Sequence, residues 1–475
     1  MTAARSVARN TLFLSLAQGI RIILGFVLIL YIANRYGVLW QGKFSILLAF
    51  LNIFQVMASF GLPRLITREV ARDPAVGNRY FWGGIVGQGA TTVVFALLMF
   101  VVVGLSPYPA DTKAMLQLAI VTLPLFTVYS VAAALLRAHE RMQYLVYAEA
   151  LSSLAQVVLA VTVLARAENV MALAVIRIGG LSLAAVMVAA AAWRMHMIGR
   201  PQIDLRFSAR LLRQSADFFG MAAFDSILQR MDVLILSLIG GETAAGLYDA
   251  ALQLIKVIMT LVMSFTDALY PVLSRLWVQS RLRFGLATGK SLYYGLIALL
   301  PVAVGTAVLA PAIIALLYHR PEYGPAARVL AVAGCAMLAY FAQTVLTRSL
   351  MAGDRARASL LTTGLMVVAG AALIAGFSAI WGPAGAASGM GLMYALGAVF
   401  AWYASRDFQI AFAANGLARP ALAAVVMGAL LYFLPSLPLW LAIPAGAAVY
   451  LALGMVSGAL KRDDLQLFRS LLSKP

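Results

Sequence analysis

The chain has 475 residues, 63% of them hydrophobic and 11% charged, with a net charge of +18. Soluble domains are roughly half apolar and a quarter charged, so this composition excludes an ordinary soluble protein. The excess of lysine and arginine sits in short segments between long apolar runs, which points to a membrane surface and away from nucleic acid.

Apolar runs of about 20 residues, the length that crosses a bilayer, recur from end to end. They fall at about 8–33, 44–66, 82–105, 115–136, 143–165, 170–193, 217–240, 247–274, 292–317, 327–351, 357–381, 386–405, 420–435 and 439–460. The expected fold is therefore an all-α polytopic membrane protein with about 14 transmembrane helices. The first run is too long for a signal peptide and has no clean cleavage site. One charge, Arg21, lies near its middle. A charged side chain at that depth costs about 2.5–3.5 kcal/mol and needs a reason to be there. Midway along the chain, "RMHMIGRPQIDLRFSARLLRQSA" (194–216) is the longest stretch between runs. It reads as a basic, partly amphipathic segment on the inner leaflet. The tail "KRDDLQLFRSLL" reads as a second surface-lying helix. With the N-terminus inside, most of the 36 lysines and arginines fall on the cytoplasmic side, so both termini are expected in the cytoplasm. A single cysteine, Cys335, allows no internal disulfide.

The second half echoes the first. A shift of 204 residues sets Gly37 on Gly241, Gly42 on Gly246 and Phe44 on Tyr248. A shift of 214 sets "RAHER" (137–141) on "MAGDR" (351–355). The ordered matches predict a six-plus-six duplication: an N-lobe at 1–195, a cytoplasmic linker at 196–214, a C-lobe at 215–406, two further spans at 407–460 and a cytoplasmic tail at 461–475. Six helices is an even number, so the two lobes run in the same orientation. Parallel repeats of this kind are related by an axis along the membrane normal, with the substrate site between them.

Helical spacing shows where the charges point. In the first run Thr11, Ser15, Gln18, Arg21 and Gly25 share a face. In the seventh, Asp225, Gln229 and Asp232 form a stripe, with Arg230 on the opposite side, and Asp225 is the repeat partner of Arg21. In the eighth, Asp249, Gln253, Lys256, Thr260, Ser264 and Asp267 line up along the whole helix, which must face protein or water. The second run has a milder version in Ser45, Asn52, Gln55 and Ser59. A hydrophilic cavity accounts for all four faces. The bland alternative is that these charges neutralise one another, Arg21 with Asp225 and Lys256 with a carboxylate of the seventh run. Glu149 and Arg177 lie nearer helix ends, where snorkelling is the simpler expectation, and Gln343, Thr347 and Arg348 are candidates for the inner mouth. No catalytic constellation, ATP loop or metal-ligand spacing is present: His139, His196 and His319 are far apart. A carrier is expected, not an enzyme, with no cofactor and no metal.

The opening "NTLFLSLAQGIRIILGFVLILYIANRYGVLWQGKFSILLAFLNIFQVMASFGLPRLITREVAR" resembles the start of bacterial oligosaccharide flippases of the polysaccharide transporter family. It carries an early Asn and Gln, a Gly-x-x-x-x-Gly-x-Phe turn, then "FGL" and a "RE" pair. "LLYHRPEYGPAARVL" (316–330), "AGDRARAS" (352–359) and "GPAGAA" (382–387) resemble later turns of that family. The resemblance implies that an undecaprenyl-diphosphate-linked oligosaccharide crosses the inner membrane to its outer leaflet by alternating access, for lipopolysaccharide or exopolysaccharide synthesis. It also implies possible assembly partners such as a polysaccharide polymerase. Helical phase, not the family motifs, assigns the residues. Arg21 and Lys256 suit the diphosphate. Gln18, Asn52, Gln229 and Gln253 suit sugar hydroxyls. Asp225, Asp232 and Asp267 suit charge pairing or a coupling ion. A lipid II flippase, a multidrug or ion antiporter of the same superfamily, and a non-transporting scaffold are the alternatives.

Overall fold

A computed structural model of the chain describes residues 19, 21–166, 169–412, 414–434 and 437–456. Gln18 and the tail at 461–475 lie outside the described residues. Among the described residues the chain is helical and contains no strand. The helices are α1 (21–36), α2 (Val38–Ser59), α3 (Leu62–Arg72), α4 (Gly77–Leu105), α5 (Ala110–Ala119), α6 (Thr122–Ala138), α7 (Met142–Leu164), α8 (Met171–Arg194) and α9 (Leu205–Leu228). After these come α10 (Met231–Gln279), α11 (Arg281–Leu317), α12 (Ala326–Ala352), α13 (Ala356–Ala404), α14 (Ala418–Phe433) and α15 (Leu439–Val456).

Ten described helical stretches are long and apolar enough to cross a membrane, fewer than the fourteen expected. Part of the difference has a physical origin. α10 and α13 each run for 49 residues, about 73 Å at 1.5 Å per residue, more than twice the hydrocarbon core. Each is broken at a glycine with positive φ: Gly241 (φ 76°, ψ −175°) in α10 and Gly382 (φ 58°, ψ −135°) in α13. Two other apolar helices, Phe218–Leu228 and Ala418–Phe433, are short.

Turns at positions that the sequence offsets align share their geometry. Gly37 (φ 87°, ψ −177°) and Gly241 adopt the same backbone conformation, one that a side chain would strain. Glu140 and Asp354 both have positive φ, 58° and 60°. The residue after each donates its backbone N–H to a carbonyl five positions back, Arg141 to Leu136 at 2.8 Å and Arg355 to Leu350 at 2.9 Å.

The chain packs as two compact units, Met1–Gly246 and Leu247–Pro475. In the first, α6 is the central helix: it packs against α2, α3, α4, α7 and α8. Its Ala132, Ala133 and Ala134 are fully buried beside Leu62, Leu65 and Ile66 of α3. Small side chains let helix backbones approach where lipid supplies no hydrophobic drive. Polar pins cross the same interfaces. Gln88 of α4 donates to Ser130 of α6 at 2.8 Å, Thr92 meets Thr127 at 2.7 Å, and Gln55 of α2 donates to Thr122 at 3.2 Å. α9 packs against α2, α3 and α4, so the first unit extends past the linker. In the second unit α11 packs against α12, α14 and α15, and α12 against α13. One core there gathers Phe284, Phe341 and Phe408, and a second gathers Ile297, Met427 and Tyr450.

The linker, expected as a surface segment on the inner leaflet, is tied to α4. Asn78 donates to the carbonyl of Arg200 at 3.1 Å and accepts from the N–H of Gly199 at 2.8 Å, and Trp82 donates to the Gly199 carbonyl at 3.3 Å. The start of α4 thus holds it in place. Asp204 then caps α9, accepting from the Phe207 N–H at 2.9 Å, with Arg79 at 3.3 Å. Those two partners hold its carboxyl below the usual carboxylate range, the backbone donor first.

Candidate functional site

α1 presents Arg21 to α7. Its Nη1 lies 3.1 Å from Oε2 of Glu149, and the other oxygen of Glu149 accepts from the Tyr129 hydroxyl of α6 at 2.7 Å. Glu149 is therefore a fixed acceptor between helices, not a snorkelling residue. The carboxylate against Arg21 is that of Glu149, not of its repeat partner Asp225. The Arg21 side chain remains 41% exposed. Asn52, on α2, is half-buried.

Arg177 is also drawn inward. Its Nη1 donates to Oε1 of Gln156 on α7 at 2.7 Å. Asp225 and Gln229 are exposed where α9 ends, and the helix breaks over Gln229 and Arg230 before α10 begins. Asp232 is buried in the first turn of α10, where its Oδ1 accepts from the Val233 N–H at 2.8 Å.

The long stripe of α10 folds onto itself. Asp249 is buried, and both its oxygens accept from Nε2 of Gln253, at 3.2 and 3.0 Å. Lys256 reaches back two turns to Oδ1 at 2.8 Å, because helical side chains lean toward the N-terminus. The partner of Lys256 is thus on its own helix, not on the seventh run. Lys256 is 34% exposed against 2% for Asp249, so the ammonium keeps an open side. Thr260 and Ser264 are exposed and bond to carbonyls four residues back. Further along, Oδ1 of Asp267 lies 2.7 Å from Nη2 of Arg348, and Gln343 donates to Thr347 at 2.9 Å.

A second charged cluster escaped the sequence reading. At the start of α2, Lys43 is almost fully buried, bonded to Asp111 of α5 and 3.5 Å from Oε2 of Glu242. Thr112 donates to the other oxygen of Glu242, and Tyr108 meets Ser237 at 2.5 Å. Lys43 follows Gly42 and Glu242 follows Gly241, so the available signal was a base and an acid each beside one of the glycines that the 204-residue shift aligns with another glycine. Among the described residues no group of three His, Cys, Asp or Glu side chains is placed to hold a metal ion.

Arg21 and Lys256, cations on helices of a polytopic membrane protein, each meet a carboxylate and stay part-exposed. Residues 7–277, more than half of the chain, match the polysaccharide biosynthesis protein family, and the chain belongs to that family. Solved structures share its fold. The lipid II flippase MurJ in an inward closed conformation superposes with a TM-score of 0.75 at 15% identity, covering 97% of this chain and 100% of that one. An inward-facing multidrug transporter of the MATE family, in the MOP superfamily, gives 0.65 at 12% identity over 82% and 94%. A MOP superfamily transporter from Pyrococcus furiosus gives 0.57 at 11% identity over 83% and 92%. A search of curated proteins finds no match.

Proposed function

We propose that the protein is a carrier, not an enzyme, that moves an undecaprenyl-diphosphate-linked oligosaccharide from the cytoplasmic to the outer leaflet of a bacterial inner membrane by alternating access. Arg21 and Lys256 receive the diphosphate. Gln18, Asn52, Gln229 and Gln253 meet sugar hydroxyls, while Asp225, Asp232 and Asp267 balance the cations or take a coupling ion. One observation carries the reading: Arg21 and Lys256 are each fixed by a carboxylate on one side and left part-exposed on the other. A cation merely neutralised for burial would have both sides occupied. One with a free donor face can still make charge-assisted bonds to phosphate. The family membership and the shared fold support it.

The test is flipping in proteoliposomes, with a fluorescent polyprenyl-diphosphate oligosaccharide quenched by a membrane-impermeant reductant. The wild type should expose the lipid from both leaflets, and Arg21→Gln should slow the exchange about tenfold or more, the scale of one lost charge-assisted contact. A wild type that flips nothing would leave the scaffold alternative. Faster exchange of lipid II would shift the substrate to a peptidoglycan precursor.

A further inference from the structure

The "RE" pair of the sequence has no part in the transport set. Arg68 and Glu69 stand near the end of α3, and with Tyr80 of α4 and Gln214 and Phe218 of α9 they line a cleft of about 360 Å³. That lies within the roughly 300–1,000 Å³ of small-molecule sites. All three helices belong to the first unit and pack against one another. Arg68 and Gln214 are exposed, and Glu69, Tyr80 and Phe218 are half-buried, so the cleft is open to solvent.

Packing fixes its walls. The left-handed turn at Gly61, which opens α3, lies so close to α9 that an added Cβ would meet the Phe218 Cβ at 2.8 Å and the Ser215 carbonyl at 2.9 Å. The Tyr80 ring stands edge-on to Phe207 at 5.1 Å, and Arg79 covers Phe207 in turn at 4.3 Å. The Arg68 guanidinium lies 5.5 Å from the centre of the Phe218 ring. Its Nε donates to Oε1 of Glu69 at 2.7 Å, and Nη1 of Arg72 lies 3.4 Å from the same oxygen. Oε2 of Glu69, both Nη groups of Arg68, the Tyr80 hydroxyl and the Gln214 amide have no hydrogen-bond partner among the described residues.

We propose that this cleft is a carbohydrate-binding site, for a sugar unit of an oligosaccharide that reaches it from the aqueous side. The mixed character of its open groups decides the ligand class. A phosphate takes donors alone and is repelled by a carboxylate. An organic cation is repelled by Arg68 and Arg72, and an apolar ligand would leave the polar groups dry and unpaired. Sugar hydroxyls both donate and accept. They can accept from Arg68 and donate to Glu69, while Tyr80 and Gln214 serve in either sense. The Phe218 and Tyr80 rings offer apolar surface to the C–H side of a sugar ring. The cleft lies at the end of the unit where Arg79 pairs with Asp204 of the linker at 3.3 Å, the end expected in the cytoplasm. That the sugar belongs to the transported lipid rests on the transport reading; the carbohydrate site itself does not.

The experiment uses the full chain in nanodiscs. The probes are lipid-linked oligosaccharide extracted from the native cells, the glycan released from it and end-labelled, and undecaprenyl diphosphate without sugar. Glycan binding is read by fluorescence anisotropy and lipid binding by native mass spectrometry. Gln214→Ala and Tyr80→Phe should each weaken binding of the released glycan about three- to tenfold, the scale of one lost hydrogen bond. Neither should lower the melting temperature, because Gln214 has no protein partner and the second substitution keeps the ring against Phe207. Binding of the sugar-free lipid should not change. Glycan affinity unchanged within about twofold in both variants, or a wild type that does not bind the released glycan, overturns the site. An equal loss for the sugar-free lipid makes the cleft a headgroup site and overturns the carbohydrate assignment. Flipping separates this site from the transport reading. Both variants should raise the concentration of lipid-linked oligosaccharide needed for half-maximal flipping and keep the maximal rate. If Arg21→Gln stops flipping while both variants bind glycan and flip as the wild type does, this site fails and the transport reading stands. If the wild type binds glycan through Gln214 and Tyr80 yet flips nothing, the transport reading fails and the site stands.

Discussion

Arg21 and Glu149 raise the question of whether their 3.1 Å contact is a brace or a poised partner. Removing one member of a braced pair strands the other charge, and removing both relieves it, so Arg21→Gln with Glu149→Gln would then recover transport. If Arg21 receives phosphate, the double variant stays inactive at normal membrane levels. Arg21→Lys then keeps part of the rate, since an ammonium binds phosphate without the fork. Recovery in the double variant would falsify the binding role. Lys43 makes the opposite case. It is buried against Asp111 and Glu242, and Lys43→Met should cost about 3 kcal/mol of stability by leaving acids unpaired. Thermal melting should show the loss, with partial return in Lys43→Met with Glu242→Gln.

The elements divide into those whose sequence announced them and those that tertiary packing decided. The stripe of α10 was legible because a five-turn helix carries its polar residues at a fixed phase. What phase cannot give is the partner: Lys256 turned back to Asp249, and Glu149 was reached by Arg21, because side-chain length and neighbouring helices decide those contacts. Cysteines in α10 follow from the burial. In a Cys335→Ser background, Lys256→Cys and Thr260→Cys should react with a water-soluble maleimide, while Asp249→Cys, at a site 2% exposed, should be slow. Equal protection of all three would mean a dry interface. The linker shows the other limit. Its basic, amphipathic pattern carried the expectation of a leaflet-lying segment; Asn78 and Trp82 anchor it to α4 through backbone groups that no side-chain pattern reveals. Asp204, at its end, is held below the ordinary carboxylate range. Its capping is complete above the unfolded value of about 4 and fades as pH falls through the lower folded value. Hydrogen exchange at the start of α9 should therefore quicken in acid, and Asp204→Asn should remove that component.

For the whole molecule, composition alone set the class, and the ordered glycines raised the expectation of a duplication. The number of spans was less legible: the breaks at Gly241 and Gly382 fall in the gaps between successive apolar runs, yet the structure carries each pair of runs as one 49-residue helix. Orientation rests on the distribution of arginine and lysine, and labelling can check it. In the Cys335→Ser background, Arg141→Cys should react with an impermeant maleimide only in inverted vesicles, and Gly324→Cys only from outside intact cells. Both positions are exposed. The reverse pattern would invert the topology and with it the direction assigned to transport.

The two glycine turns carry a consequence for descent. A Cβ on Gly42 would meet the carbonyl of Glu242, and one on Gly246 would meet the carbonyl of Val38. Under the 204-residue offset Gly42 answers to Gly246 and Val38 to Glu242, so the two close approaches are exchanged with one another, the reciprocity of an isologous contact in a two-fold dimer. Were the halves copies of one ancestor, it would have met a second copy of itself through this backbone; a Cβ at either glycine would collide there. Under the same offset Lys43 answers to Leu247 and Glu242 to Val38, so this buried charged pair breaks the symmetry that the two glycines keep.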